Sequence, residues 1–266
     1  MLKKTFLYWT RKMGLMHGFD RAFFFVNRLR FLFKNQQFRA SHPEFALPPD
    51  YMLYEAYRMD YAHYFEDGRN TAEWLLGEIG IFLKTDTATI LDWGCGPARV
   101  VRHLREMLPS ASLHATDYNG VTIKWCQEQI HGIIFKLNGL VPPLDYQDNL
   151  FDLVYGLSVF THLSEQNHYL WMEELYRVMK PGGILLVTTH GKSFSEKLTD
   201  GEQAIFMQGN LVVRDRVKEG HRSFSAYQPE AFMHSLISNR FQVQKCTPGK
   251  IEDWGPAQDT WILRKI

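Results

Sequence analysis

From residue 88 to residue 189 the sequence alternates between short apolar runs and longer stretches whose apolar residues recur every three or four positions. That alternation limits the fold more than any other feature. The spacing predicts strands over 88–93, 112–117, 133–137, 150–157 and 183–189, and helices over 97–108, 120–130 and 164–179. Strand and helix in turn, at these lengths, build a parallel sheet covered on both faces by helices. The helix over 164–179 has internal support. Trp171, Leu175 and Val178 make one apolar face, Glu173 and Arg177 pair four residues apart on another, and Pro181, Gly182 and Gly183 end it.

The last third changes character. "NLVVRDRVKEG" and "HRSFSAY" read as a hairpin or lid at about 200–227. A helix over 229–238 follows, and "RFQVQKC" and "DTWILRKI" predict a closing antiparallel strand pair. Ahead of the alternation, a helical stretch from Tyr51 to Leu83 is expected to break near "EDGRN", at Gly68.

Charge separates the N-terminal segment from the rest. Residues 1–39 hold nine bases and one acid, whereas the remainder holds 21 bases and 28 acids, so a near-neutral whole combines a basic arm with an acidic body. The arm has helical period in two pieces: Phe6, Trp9, Met13 and Met16, then Ala22, Val26, Leu29 and Phe33. Gly14 and Gly18 are expected to separate them, and "SHPEFALPPD" reads as a linker. The expected division is an arm and linker over 1–50 and one domain over 51–266. The longest apolar run of the arm, Ala22 to Val26, is too short to span a bilayer and too late and interrupted for a signal peptide. Cys95, Cys126 and Cys246 are too widely spaced for a disulfide framework, so a reducing, cytoplasmic setting is expected.

The chemistry begins at "ILDWGCGPAR". Here an apolar strand reaches Asp92 and breaks into Gly94, Cys95 and Gly96 before a helix, the context of a nucleotide-binding turn. Arg99 stands where a dinucleotide fingerprint has its third glycine, and the Lys and Ser or Thr of a phosphate-binding P-loop are absent. A second acid, Asp117, ends the next strand, where a carboxylate can accept both hydroxyls of a ribose. The same position also suits a helix N-cap.

These segments resemble the class I S-adenosylmethionine-dependent methyltransferases. "ILDWGCGPARV" is similar to their first motif and "ATDYN" to their second. "NLFDLVYGLSVFTHLSE" corresponds to their strand-four segment, and "LYRVMKPGGILLVTTHG" to the helix and strand five. The resemblance implies an α/β, Rossmann-like, mostly parallel seven-stranded sheet with helices on both faces, an antiparallel C-terminal pair and, here, a helical N-terminal arm. It implies that S-adenosyl-L-methionine is the cofactor. Asp92, Gly94, Cys95 and Gly96 would line its methionine part, Asp117 its ribose and Tyr118 its adenine. Asn138 and Gly139 would meet the adenine edge, Ser158 would approach the sulfonium, and Gly68 with Arg69 would bind the carboxylate.

Methyl transfer from a sulfonium needs in-line approach and a dry pocket, and a hydroxyl acceptor needs its proton removed as well. His162, just after strand four, and His190, at the end of strand five, are the candidate bases. "THLSE" reads equally as a loop histidine before a helix capped by Ser164. No metal-ligand spacing stands out: there is no HExxH or Cys–His cluster, and "DYQDN" precedes strand four instead of following it.

The expected activity is O-methylation of a small molecule, sugar or glycan precursor. Two alternatives are N- or C-methylation of a small molecule, and a non-catalytic cofactor-binding scaffold tethered by the arm. The arm itself admits three roles: a lid, a partner surface, or a peripheral contact of residues 1–39 with the inner membrane surface. Nucleic acid is disfavoured because the body is acidic.

Overall fold

The computed structural model describes residues 16–57, 59–215 and 217–266. The expected helix through Phe6, Trp9 and Met13 and the expected break at Gly14 lie outside them. The chain divides into two compact units, Met1–Gly68 and Arg69–Ile266.

The second unit is built on the predicted alternation. Strands β1 (Thr89–Trp93), β2 (Ser112–Asp117), β3 (Ile134–Leu137), β4 (Phe151–Gly156) and β5 (Met179–Thr189) alternate with helices α5 (Val101–Met107), α6 (Gly120–Gln129) and α7 (Glu165–Val178). After β5 come α8 (Asp200–Met207), the hairpin β6 (Val212–Arg214) and β7 (Ser225–Tyr227), and α9 (Glu230–Ile237). Strands β8 (Phe241–Thr247), β9 (Ile251–Glu252), β10 (Gly255–Pro256) and β11 (Asp259–Lys265) end the chain. The main sheet has seven strands in the order β3-β2-β1-β4-β5-β11-β8. All run parallel except β11, which pairs antiparallel with both β5 and β8.

A two-residue side-chain period sorts each central strand between two cores. Ile90, Leu153, Tyr155, Ile184 and Leu186 join Leu75, Ile79, Leu104 and Ile123 on one face. Leu91, Trp93, Val154, Leu185 and Val187 join Trp171, Leu175, Phe232 and Leu236 on the other. Both faces are therefore dry, as a parallel sheet between helices requires. Because β1 and β2 run in register (Asp92 opposite Ala115, Trp93 opposite Thr116), their carboxyl ends and following loops emerge at one edge. The reversal of strand order lies between β1 and β4, which is where open sheets of this kind bind ligands.

In the first unit α1 (Met16–Arg30) and α2 (Leu32–Ser41) are followed by α3 (Asp50–Ala56). Their core is Phe38, Leu53, Tyr61 and Tyr64. Buried Asn35 ties the unit together, donating to the Met59 carbonyl at 2.7 Å and accepting from the Tyr61 amide at 3.0 Å.

Three expectations are corrected. Gly18 lies within α1, and the interruption between α1 and α2 falls at Phe31. Gly68 does not break a helix either: α4 runs unbroken over Tyr61–Ile79, and at its start the Asp60 side chain accepts from the His63 amide. A single helical glycine costs only about 1 kcal/mol, which a buried stripe readily outweighs. Strand β5 starts at Met179, not 183, with Pro181 and Gly182 exposed in it and a register shift against β4 between Phe151 and Leu153.

Candidate active site

The glycine turn leaves β1 with left-handed backbone at Gly94 (φ 79°) and Gly96 (φ 51°). At Gly94 the absence of a side chain is obligatory, because a Cβ would overlap Val159 from the loop after β4. Ala98 also takes a positive φ of 59°, unusual for a residue with a side chain.

The amides of this turn point inward. Gly94 and Cys95 both donate to the Thr116 carbonyl, at 2.8 and 2.9 Å, and Gly96 donates to Asp117 Oδ2 at 3.0 Å. A phosphate cradle needs such amides for its anion, so this turn is built for a different ligand charge. Two buried carboxyls stand beside it. Asp92, at the end of β1, is pushed up to about 7, chiefly by burial, with the Asp117 charge adding to the rise. The Tyr155 hydroxyl and the Arg99 guanidinium act against that rise. Burial also raises Asp117, while hydrogen bonds from the Asn119 and Gly96 amides favour its charged form. A concave turn with its N–H groups satisfied internally and two acids held out of water is suited to a cation.

The remaining candidates are distributed around the same edge. Tyr118 follows β2, 39% exposed as a residue, with its hydroxyl donating to the Gly220 carbonyl at 2.9 Å. Asn138, after β3, donates from its amide to the Asp117 carbonyl at 3.1 Å, while its side-chain oxygen is buried with no hydrogen-bond partner. Gly139 is beside it. Such an orphaned acceptor is a mark of a missing donor, and an exocyclic amine is one group that would supply it. Ser158, after β4, adopts φ 64°, held there by Thr188 Oγ1 on its amide at 2.8 Å and Gln258 Oε1 on its hydroxyl at 2.9 Å.

Gly68 and Arg69 stand elsewhere in kind: both are interior to α4, and the exposed Arg69 pairs with Glu73 four residues on, at 3.1 Å.

His162 closes a 3₁₀ turn, Phe160–His162, whose start at Val159 is the contact of Gly94. Its Nδ1 lies 2.8 Å from the Phe224 carbonyl. Because a carbonyl only accepts, Nδ1 carries the proton and Nε2 keeps its lone pair. His190 follows the same rule, with Nδ1 3.0 Å from the Ala226 carbonyl and its ring stacked on Phe194 at 4.1 Å. Burial lowers both, His190 to about 3, with His162 adding to the lowering of His190. Both are therefore neutral imidazoles at pH 7.

Sequence reasoning missed what holds these rings. Gln228, 1% exposed, accepts from the His190 amide at 3.0 Å and donates to the Phe160 carbonyl at 2.9 Å and His168 Nε2 at 3.0 Å. Glu219 accepts from the Ser164 amide and from Asn167 Nδ2, at 2.5 and 2.8 Å, and the Gly220 amide donates to the His162 carbonyl at 3.0 Å. The segment 217–228 thus straps the rim from Tyr118 to His190. Only the position of a hairpin was readable, because a glutamine sixty residues from its partner leaves no local pattern. Among the described residues no group of His, Cys, Asp and Glu is arranged to hold a metal. Asp145 and Asp148 pair instead with Lys136 and Arg177, each at 2.7 Å.

Residues 90–183 match the methyltransferase domain family. The chain is 27% identical over 118 residues to a phosphoethanolamine N-methyltransferase of Plasmodium falciparum, covering 43% of this chain and 44% of that protein. It is 24% identical over 127 residues to a trans-aconitate 2-methyltransferase of Variovorax paradoxus, covering 48% and 47%. The alignments therefore span less than half the length of these curated relatives. Its fold superposes on a SAM-dependent methyltransferase crystal structure from Methanosarcina mazei with a TM-score of 0.55 at 19% identity, over 71% of this chain and 97% of that one.

Proposed function

We propose that this chain, which belongs to the class I S-adenosylmethionine-dependent methyltransferase family, transfers the cofactor's methyl group to a hydroxyl of a small molecule, sugar or glycan precursor. The cofactor supplies an electrophilic methyl on a cationic sulfonium. The observation that carries the cofactor reading is the glycine turn, with its amides turned inward and Asp92 and Asp117 buried beside it. That arrangement suits the sulfonium and ammonium of adenosylmethionine and disfavours a phosphate. Asp117 has lone pairs left for the ribose diol, Tyr118 offers a ring face to adenine, and the orphaned Asn138 oxygen fits the adenine amine. Gly94, Cys95, Gly96 and Ser158 would line the methionine end. Gly68 and Arg69 are left out of this reading because helix α4 continues through them and Arg69 is engaged with Glu73.

Within the site the protein's own work is orientation, exclusion of water and removal of one proton. His162 supports the hydroxyl reading: a neutral imidazole whose Nδ1 proton is committed to Phe224 presents Nε2 as a base. It sits one short turn beyond Ser158 and Val159, at the methionine end of the turn. His190, fixed in the same tautomer by the next carbonyl but one, is the second candidate.

The test is transfer of labelled methyl from adenosylmethionine to panels of hydroxyl, amine and carbon-acid acceptors. The expected result is turnover on a hydroxyl acceptor, lowered about 10²–10⁴-fold in His162→Ala with cofactor affinity unchanged. Turnover confined to amines or carbon acids, or a His162→Ala enzyme as fast as the parent, would remove the base from this account. Tight cofactor binding with no transfer at all would make the chain a scaffold.

A further inference from the structure

The apolar face that the arm's period predicts is open to solvent. Helices α1 and α2 follow one another with little interruption: the Phe31 amide donates to the Asn27 carbonyl at 3.1 Å and the Asn35 amide to the Phe31 carbonyl at 2.8 Å. Ala22, Val26, Leu29 and Phe33 therefore form one stripe. Val26, Leu29 and Phe33 are 63%, 72% and 79% exposed, and Phe25 beside them is 57% exposed.

The packing of this unit uses the opposite side of the same helices. Phe24 meets the rings of Tyr51 and Tyr54 edge-on, Asn35 is bonded to Met59, and Phe38 is buried in the aromatic core. The described residues of this unit thus account for the buried side, and none of the contacts above covers the exposed stripe. Arg21, Arg28, Arg30 and Lys34 surround the stripe, and residues 21–39 contain no Asp or Glu. Arg28 and Lys34 reach back to Asp50 and Asp60, yet each side chain stays 55% exposed. An apolar stripe flanked by cations, with no acid among residues 21–39 of its own helices, matches a surface that is apolar below and anionic above, as a bilayer headgroup layer is. No helix among the described residues is long and apolar enough to cross a membrane, so contact would be in the interface plane.

We propose that α1 and α2 dock on an anionic lipid bilayer, with Val26, Leu29 and Phe33 entering the acyl boundary and Arg21, Arg28 and Arg30 at the level of the lipid phosphates. This inference is independent of the methyl-transfer reading, since none of these residues is assigned to the cofactor or acceptor site.

The experiment is sedimentation of the full chain with vesicles of phosphatidylcholine alone and of phosphatidylcholine containing about one-third phosphatidylserine. Binding to the anionic vesicles is expected at low salt, at least about tenfold weaker at ~0.5 M salt and on neutral vesicles. Val26→Glu/Phe33→Glu should lose at least about tenfold in partitioning. Its thermal melt should match the parent, because both positions are exposed. Arg21→Gln/Arg30→Gln should lose the preference for anionic lipid. Three results overturn the proposal: equal binding to both vesicle types, undiminished binding by the double-glutamate variant, or no vesicle binding together with a dimer that this variant dissociates. The last would mean that a second copy of the chain covers the stripe.

Discussion

Substituting Gly94 by alanine tests the geometry of the turn quantitatively. The added Cβ meets two separable penalties. The backbone at φ 79° is left-handed, which costs an L-residue about 1–2 kcal/mol. The methyl would also overlap Val159, which must move; overpacking of this kind costs about 1–3 kcal/mol. Together Gly94→Ala should destabilise by about 2–5 kcal/mol. Val159 is only half-buried, so Val159→Ala alone should cost about 1 kcal/mol. In the double variant the overlap is gone while the backbone strain remains. The double variant should therefore be more stable than the sum of the single effects predicts, by about 1–3 kcal/mol. Urea denaturation of the four proteins reads this directly. A Gly94→Ala protein within about 0.5 kcal/mol of the parent would refute the reasoning, as would strict additivity with Val159→Ala. Because Val159 begins the turn that carries His162, methyl transfer should fall more steeply than stability in Gly94→Ala and recover in part in the double variant.

Further outcomes follow from the buried polar groups. His103, His168 and His190 are lowered to about 4, 4 and 3, so in the folded state they stay neutral where an unfolded chain would take up three protons below pH 6.5. Asp92, raised to about 7, works the other way: the folded state holds one proton that the unfolded chain releases above about 4. The histidines win by about two protons. Stability should rise by about 2–3 kcal/mol per pH unit between pH 4.5 and 6, as read from urea midpoints, and a flat profile there would contradict these burial effects. Gln228→Ala leaves the His190 amide, the Phe160 carbonyl and His168 Nε2 without their partner and should cost about 3–5 kcal/mol by chemical denaturation; a loss under about 1 kcal/mol would mean that water replaces it.

The parts of this molecule that repeat locally were legible in its sequence. The βα alternation, the glycine turn and the acid ending β2 follow periodicities or short motifs that depend on neighbours in the chain. The period of Ala22, Val26, Leu29 and Phe33 was legible as a stripe, but a period cannot say whether a stripe is covered. Gly68 misled because glycine's helix penalty is small beside the burial of the flanking Tyr64, Ala72 and Leu75. The supports of the site were not legible at all. Thr188 and Gln258 hold Ser158 from 30 and 100 residues away, and Phe224 and Ala226 set the histidine tautomers through backbone carbonyls, which any residue could have supplied. Side-chain identity carries no trace of such contacts, so only the folded chain displays them.

The central proposal is that the turn between β1 and α5 holds adenosylmethionine with Asp117 on the ribose. Calorimetry with S-adenosylhomocysteine and its 2′-deoxy analogue, on the parent protein and on Asp117→Ala, tests it most directly. The parent should bind adenosylhomocysteine and prefer it to the deoxy analogue. Asp117→Ala should bind it about 1.5–3 kcal/mol more weakly and no longer distinguish the two ligands. The comparison of ligands separates a ribose contact from the structural role of Asp117 on the Gly96 and Asn119 amides, which would weaken both ligands alike. No binding by the folded parent protein, or an Asp117→Ala protein that keeps the full preference for the 2′-hydroxyl, would contradict the account.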